Sequence, residues 1–295
     1  MSVRVVLVVA VLAMGLLAGC SPASTPGSPS GSRSAAGRAG AAATGDLPVP
    51  DHVMVVIFEN EDAENVVGSA QAPYLTSLAA SGATLTDAHG ETHPSQPNYL
   101  ALFAGSTLGV VDDSCPHSLT GPNLAEQLLS SGRTFAGYSE DLPNTGYTGC
   151  RVAGYARKHN PWVNFADLPA GVNQPYSALP TSFAELPTVS FVVPNLCDDM
   201  HDCGVAAGDR WARDHLAAYA TWAQQHDSLL VVTFDEDDGS RDNHIATLLV
   251  GSMVEPGASA QRADHYTLLR TLEDMYGLPP LGAAGGAAPL TGIWR

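Results

Sequence analysis

The run His52-Val53-Met54-Val55-Val56-Ile57-Phe58, followed at once by Glu59-Asn60-Glu61-Asp62, decides the fold. After His52 the run has no polar interruption. It reads as a strand buried on both faces, as in a parallel sheet covered by helices. A carboxylate and an amide stand at its C-terminal end, the end at which open α/β sheets bind ligands. Residues 134–138, 188–193, 228–234 and 245–250 repeat the buried-strand pattern, and 83–88 adds a further strand. Helical patterns lie between them at 74–80, 123–131, 208–225 and 266–276. Such alternation predicts an α/β protein, a three-layer α/β/α sandwich with a mainly parallel central sheet.

Outward from that strand, the next informative stretch is His93-Pro94-Ser95-Gln96-Pro97-Asn98-Tyr99. Ser95 sits between two prolines, where no helix can continue from upstream. Beyond Pro97 the pattern suits a short buried helix, with Ser95 at its start. A hydroxyl there faces free backbone N–H groups and the positive end of the helix dipole, a place to attack and hold a phosphate. The plainer alternative is that Ser95 only caps the helix.

Three strand ends carry acids: Glu59-Asn60, Asp198-Asp199 with His201, and Asp235-Glu236. In one parallel sheet these ends share an edge. Oxygen donors with histidines nearby suit a hard or borderline divalent cation, and with Ser95 they predict a metal-assisted hydrolytic site. His89, His93, His159, His201, His244 and His265 all fall in loops around these ends. A metal-free Ser-His-Asp esterase competes for the same residues, but no Gly-x-Ser-x-Gly elbow surrounds Ser95.

The N-terminus reads as an export signal: a basic start, an apolar stretch from Val5 to Leu17, then Leu17-Ala18-Gly19-Cys20. That last tetrad resembles the lipobox of bacterial lipoproteins, with Cys20 as the lipidated residue. Residues 21–47 are Ser, Ala, Gly, Pro and Thr with little that is bulky, a flexible tether. The folded domain is expected over 48–295, exported and held at a membrane by a lipid anchor. Formal net charge is −17, which repels nucleic acid and excludes it as a partner. A monomer is expected. The single lysine, Lys158, lies in Arg157-Lys158-His159, a solvated loop or a local attractor for an anionic substrate. Cys20 aside, four cysteines remain. In an exported protein they predict disulfides, with zinc ligation as the alternative. Proximity favours Cys197–Cys203, which leaves Cys115–Cys150.

These motifs, with Lys158-His159-Asn160-Pro161-Trp162 and Thr233-Phe234-Asp235-Glu236-Asp237-Asp238-Gly239, resemble the phosphoesterase family of bacterial acid phosphatases and phospholipases C. That family lies in the alkaline-phosphatase-like superfamily, and the likeness is strongest to its branch of mycobacterial-type secreted acid phosphatases. The resemblance implies hydrolysis of phosphate monoesters, phosphoinositides among them. It implies one divalent cation held by Glu59, Asn60, Asp235 and Glu236, with Ser95 as the nucleophile. His201 would protonate the leaving group, and Lys158, His159 and Asn98 would bind substrate. A second metal set would draw on Asp199 and His244. Glu236 departs from the second Asp of phospholipase C relatives, which leaves metal identity open. A phospholipase C-type diesterase and a non-catalytic lipoprotein binding module are the competing functions.

Overall fold

The computed structural model describes residues 47–239 and 242–295. The export signal, Cys20 and the tether up to residue 46 lie outside the described residues. An eight-stranded sheet is built from β1 (His52–Phe58), β2 (Ala83–Leu85), β3 (Phe135–Ser139), β4 (Asn173–Pro175), β5 (Val189–Val193), β6 (Ser228–Phe234), β7 (Thr247–Val250) and β8 (Gly257–Ser259). Its order is β8-β2-β7-β6-β1-β5-β3-β4. β1 sits inside the sheet with β6 and β5 as parallel neighbours, Val55 opposite Val231 on one side and Phe191 on the other. Every residue of β5 and β6 is buried, which is why these strands read as largely apolar runs broken only by the small hydroxyls of Ser190, Ser228 and Thr233.

β7 runs antiparallel to both β6 and β2. The connection from β6 carries no helix among its described residues, so the chain has no crossover to bring it back parallel. β7 therefore starts at the edge where β6 ends. The stretch 83–88 does not stay one strand: Ala88–His89 leaves β2 to pair with Ala263–Asp264 in a separate two-stranded sheet.

Helices α1 (Pro73–Ser81) and α4 (Val205–Ala223) pack on each other, as do α2 (Ser95–Ala104) and α5 (His265–Tyr276). α3 (Leu124–Ser130) packs on β3 and is capped by Asn123, whose side chain accepts the N–H of Glu126 at 3.0 Å. α4 turns Trp211, Leu216, Tyr219 and Ala223 inward. α2 is buried along its whole length. It stops at Gly105, whose φ of 67° is left-handed and where a Cβ would come within 2.2 Å of the Leu281 carbonyl oxygen.

The region 142–186 is a chain of short helical turns, a two-residue hairpin and the edge strand β4. Its turn Arg157–His159 brings Lys158 and His159 to α2. Two disulfides pin the loops, Cys115–Cys150 across 35 residues and Cys197–Cys203 across 6.

Candidate active site

The site forms where β1, β5 and β6 end. Phe58 pairs with Phe234, and the Asp235 N–H donates to the Phe58 carbonyl at 3.0 Å, so Glu59 and Asp235 emerge at one level. The loop after β5 joins them: the Glu59 N–H donates to the Asp199 carbonyl at 2.9 Å. Asn60 takes a left-handed φ of 51°, which asparagine tolerates, and its N–H donates to Asp235 Oδ1 at 3.2 Å.

Ser95 enters from α2. It is the first helical residue, with Pro94 as the cap, so the helix starts two residues before Pro97. Its hydroxyl does not cap the helix. Ser95 Oγ lies 3.0 Å from Glu59 Oε2 and 3.1 Å from Glu236 Oε1, and its one proton serves either. Glu59, Ser95, Asp199, Asp235 and Glu236 are all buried.

Packing acids this closely without counter-charge is unfavourable. Burial, then the Asp235 and Asp199 charges, pushes the Glu59 carboxyl well above its usual range. Burial and then Glu236 do the same to Asp235. Burial also raises Asp199 and Glu236, each to about 7. Asp235 Oδ2 is a buried carboxylate oxygen with no hydrogen-bond partner. Orphaned oxygen at the centre of an acid cluster is the donor chemistry that fits a divalent cation. Among the described residues, Glu59 with His159 and His201, and Asp62 with Asp237 and Asp238, also converge closely enough to hold one.

His159 is not open to substrate. It is 1% exposed, with Nε2 3.1 Å from Glu59 Oε1 and Nδ1 3.3 Å from Asp199 Oδ2. Burial and then Lys158 push its pKa well below the usual range. Asn98 is no substrate contact either. It is fully buried; its amide donates to Thr92 and Pro94 carbonyls and to Glu236 Oε2, while its oxygen accepts the N–H groups of Glu91 and Thr92. It braces the turn before Ser95. Nor do Asp199 and His244 form a second set. His244 faces the Thr86 carbonyl at 3.2 Å and Glu64 at 3.7 Å, because β7 begins on the far side of β6 from β1. Asp199 faces His159.

His201 stands at the rim. Its Nδ1 pairs with Asp202 Oδ1 at 2.8 Å, and its ring lies 5.7 Å from that of His159. Lys158 Nζ is 2.7 Å from Asp113 Oδ2, and Asp113 Oδ1 accepts the Gln96 N–H at 3.0 Å. His93 Nδ1 meets Glu236 Oε2 at 2.7 Å and its Nε2 lies 3.4 Å from Asp237 Oδ1. The sequence reading assigns no role to His93, Tyr99, Asp113 or Asp237. Tyr99 was open to discovery, since it follows Ser95 by one helical turn.

The phosphoesterase family profile matches residues 68–279. The chain belongs to the phosphoesterase family. This phosphoesterase is 51% identical over 251 residues, 84% of each chain, to the phosphatidylinositol-3-phosphatase of Mycobacterium tuberculosis. It is 30% identical over 248 residues to an acid phosphatase of Aspergillus fumigatus, covering 77% of this chain and 55% of the fungal one. Its fold matches a protein of the alkaline phosphatase superfamily from Vibrio parahaemolyticus with a TM-score of 0.55 at 14% identity, over 83% of this chain and 72% of that one. A sulfatase-like structure from Bacteroides thetaiotaomicron matches with a TM-score of 0.58 at 12% identity, over 82% and 74%. Identity that low speaks to the fold alone. The phosphoesterase is a phosphoric ester hydrolase, and the reading as a non-catalytic binding module falls away.

Proposed function

We propose that the chain is an exported phosphatase that hydrolyses phosphate monoesters, phosphoinositides among them, with Ser95 as nucleophile beside a divalent cation. One observation carries this: the buried Ser95 hydroxyl, at the first residue of a helix, contacts two carboxylates from different strand ends. A serine serving only as a cap would bond a backbone N–H.

The residues that would hold the cation are Glu59, Asn60, Asp235 and Glu236, and the orphaned Asp235 Oδ2 supports that set. When bound, the cation supplies charge that lowers the pKa of the Ser95 hydroxyl and offsets the phosphoryl oxygens. One of the two carboxylates in contact with Ser95, Glu59 or Glu236, takes up its single hydroxyl proton. Ser95 Oγ attacks phosphorus, the ester P–O bond breaks, and phosphoserine forms. His201, held at Nδ1 by Asp202, gives a proton from its other nitrogen to the departing alkoxide. Water then displaces Ser95 and releases inorganic phosphate. Lys158 binds a phosphoryl oxygen with the N–H donors that Asp113 leaves free. The phosphoinositide part of the reading rests on the substrate named for the Mycobacterium tuberculosis relative.

Acid-quenched wild-type enzyme should carry phosphate on Ser95, and Ser95→Ala should lose turnover with the fold intact. A turning-over Ser95→Ala variant removes the nucleophile. The leader motif supports export and anchoring: residues 1–20 as a signal with its lipobox, cut before Cys20 so that Cys20 is the acylated N-terminus, then the tether 21–47 and a catalytic domain over 48–295. Labelling with an acyl-chain analogue should mark the wild type and spare Cys20→Ser; equal labelling refutes the anchor.

A further inference from the structure

α2 sets Ser95, Asn98 and Tyr99 at i, i+3 and i+4, on one face. Each meets an acid from a strand end. Asn98 holds Glu236 Oε2 at 3.4 Å. Ser95 and Tyr99 divide Glu59 between them: Ser95 Oγ lies 3.0 Å from Oε2, and the Tyr99 hydroxyl donates to Oε1. Tyr99 is buried, and its ring stacks on His159 with centroids 5.3 Å apart and planes 12° apart.

We propose that Tyr99 is a positioning residue for phosphoryl transfer, holding Glu59 Oε1 so that Oε2 stays turned toward Ser95 and the cation donors. The inference rests on the reading of Ser95 and the cation set above. Glu59 ends in a carboxylate whose terminal torsion is soft, and Asp235 and Asp199 crowd it with like charge. Something must fix its orientation. In the free enzyme Ser95 helps, but once Ser95 Oγ is bonded to phosphorus it has no proton to give. Tyr99 then remains as a hydroxyl donor on Glu59 from the same rigid helix. A phenyl ring would fill the same space and stack on the same imidazole. The hydroxyl is what packing alone does not require.

Tyr99→Phe in the full chain isolates that hydroxyl. With p-nitrophenyl phosphate, kcat should fall about tenfold with KM within about twofold. Mn²⁺ titrated into metal-stripped protein should bind about tenfold more weakly than to wild type, the scale expected when a partner of a metal ligand is lost. The melting temperature should move by only a few degrees. Unchanged kcat and Mn²⁺ affinity overturn the proposal, whatever the melting temperature does, because Tyr99 is then packing. A wild type that binds no Mn²⁺ and stays active as Ser95→Ala overturns the site reading and this inference together. Weakened Mn²⁺ binding in Tyr99→Phe beside a phosphorylated Ser95 in wild type supports both.

Discussion

Lys158 Nζ and Asp113 Oδ2 lie 2.7 Å apart, and the other Asp113 oxygen holds the N–H of Gln96, the residue after Ser95. One carboxylate thus joins the lone lysine to the helix that carries the nucleophile. The Cys115–Cys150 bridge ties the same two loops, and the Cys150 carbonyl accepts the Arg157 N–H at 2.9 Å. An ammonium has three donors, so the ion pair leaves two for a phosphoryl oxygen. Lys158→Ala should lower kcat/KM for a monoester about 10- to 100-fold, mostly through KM, as expected for losing a charged hydrogen bond of about 1.5–3 kcal/mol. Steady-state kinetics decide it: an unchanged KM would leave Lys158 with a purely structural ion pair.

Asp235→Asn should cost metal occupancy and activity together. The amide keeps the shape and an oxygen for the Asn60 N–H, but it brings a dipole where the cation set needs a charge. Elemental analysis beside turnover is the measurement. Stripped wild type should lose turnover and regain it when a divalent ion returns. A dead variant with full metal content would move Asp235 from ligand to a role in the chemistry. An active, chelator-indifferent enzyme would favour the metal-free esterase.

The sheet was legible because burial on both faces keeps β1, β5 and β6 free of charged residues and mostly aliphatic, with small hydroxyls at Ser190, Ser228 and Thr233, and because acids follow where β1 and β6 stop. The direction of β7 was not, since an apolar run carries no sense of direction and only the connection decides it. At the site, the acids of β1 and β6 and Ser95 were visible as residue types out of place at element ends. Asn98 and His159 read as substrate contacts because polarity argues for exposure, while packing buries both and Asn98 spends its amide on the turn before Ser95. Asp113 gave no signal, as Asp112-Asp113 on an exposed loop reads like any solvated turn.

Reducing Cys197–Cys203 should harm activity more than stability. Closing a loop of 6 residues contributes about 2 kcal/mol, against about 4 kcal/mol for the 35-residue bridge. The short loop carries Asp199 and His201 on either side of Met200, which is buried in a left-handed conformation with φ of 85°. Such backbone persists only while its surroundings impose it. Cys197→Ala/Cys203→Ala should melt about 4–8 °C lower, yet lose at least tenfold in kcat/KM. Wild-type kinetics in a destabilised variant would show that the loop holds its shape without the bridge.

Glu273 makes stability fall as pH rises. Its side chain is buried on α5, Oε1 accepts the Leu281 N–H at 2.8 Å, and Oε2 has no partner. Burial pushes the carboxyl up to about 7, more than the Leu281 N–H and Arg270 draw it down, and Asp274 adds a further push upward. The native state therefore keeps its proton in a range where the unfolded chain, titrating near 4.5, has already lost it. A raised carboxyl contributes stability that is fully present below the unfolded value and is lost as pH climbs through the folded one. The loss falls between about pH 4.5 and 7 and amounts to about 1–3 kcal/mol once solvent screening is allowed for. Glu273→Gln removes the titration while keeping an acceptor for Leu281. Urea melts of both proteins at pH 5 and pH 8 should show the wild type losing more stability across that interval than the variant, by this amount. Equal losses would mean that Glu273 is ionised in both states and that its unpaired oxygen is met by solvent.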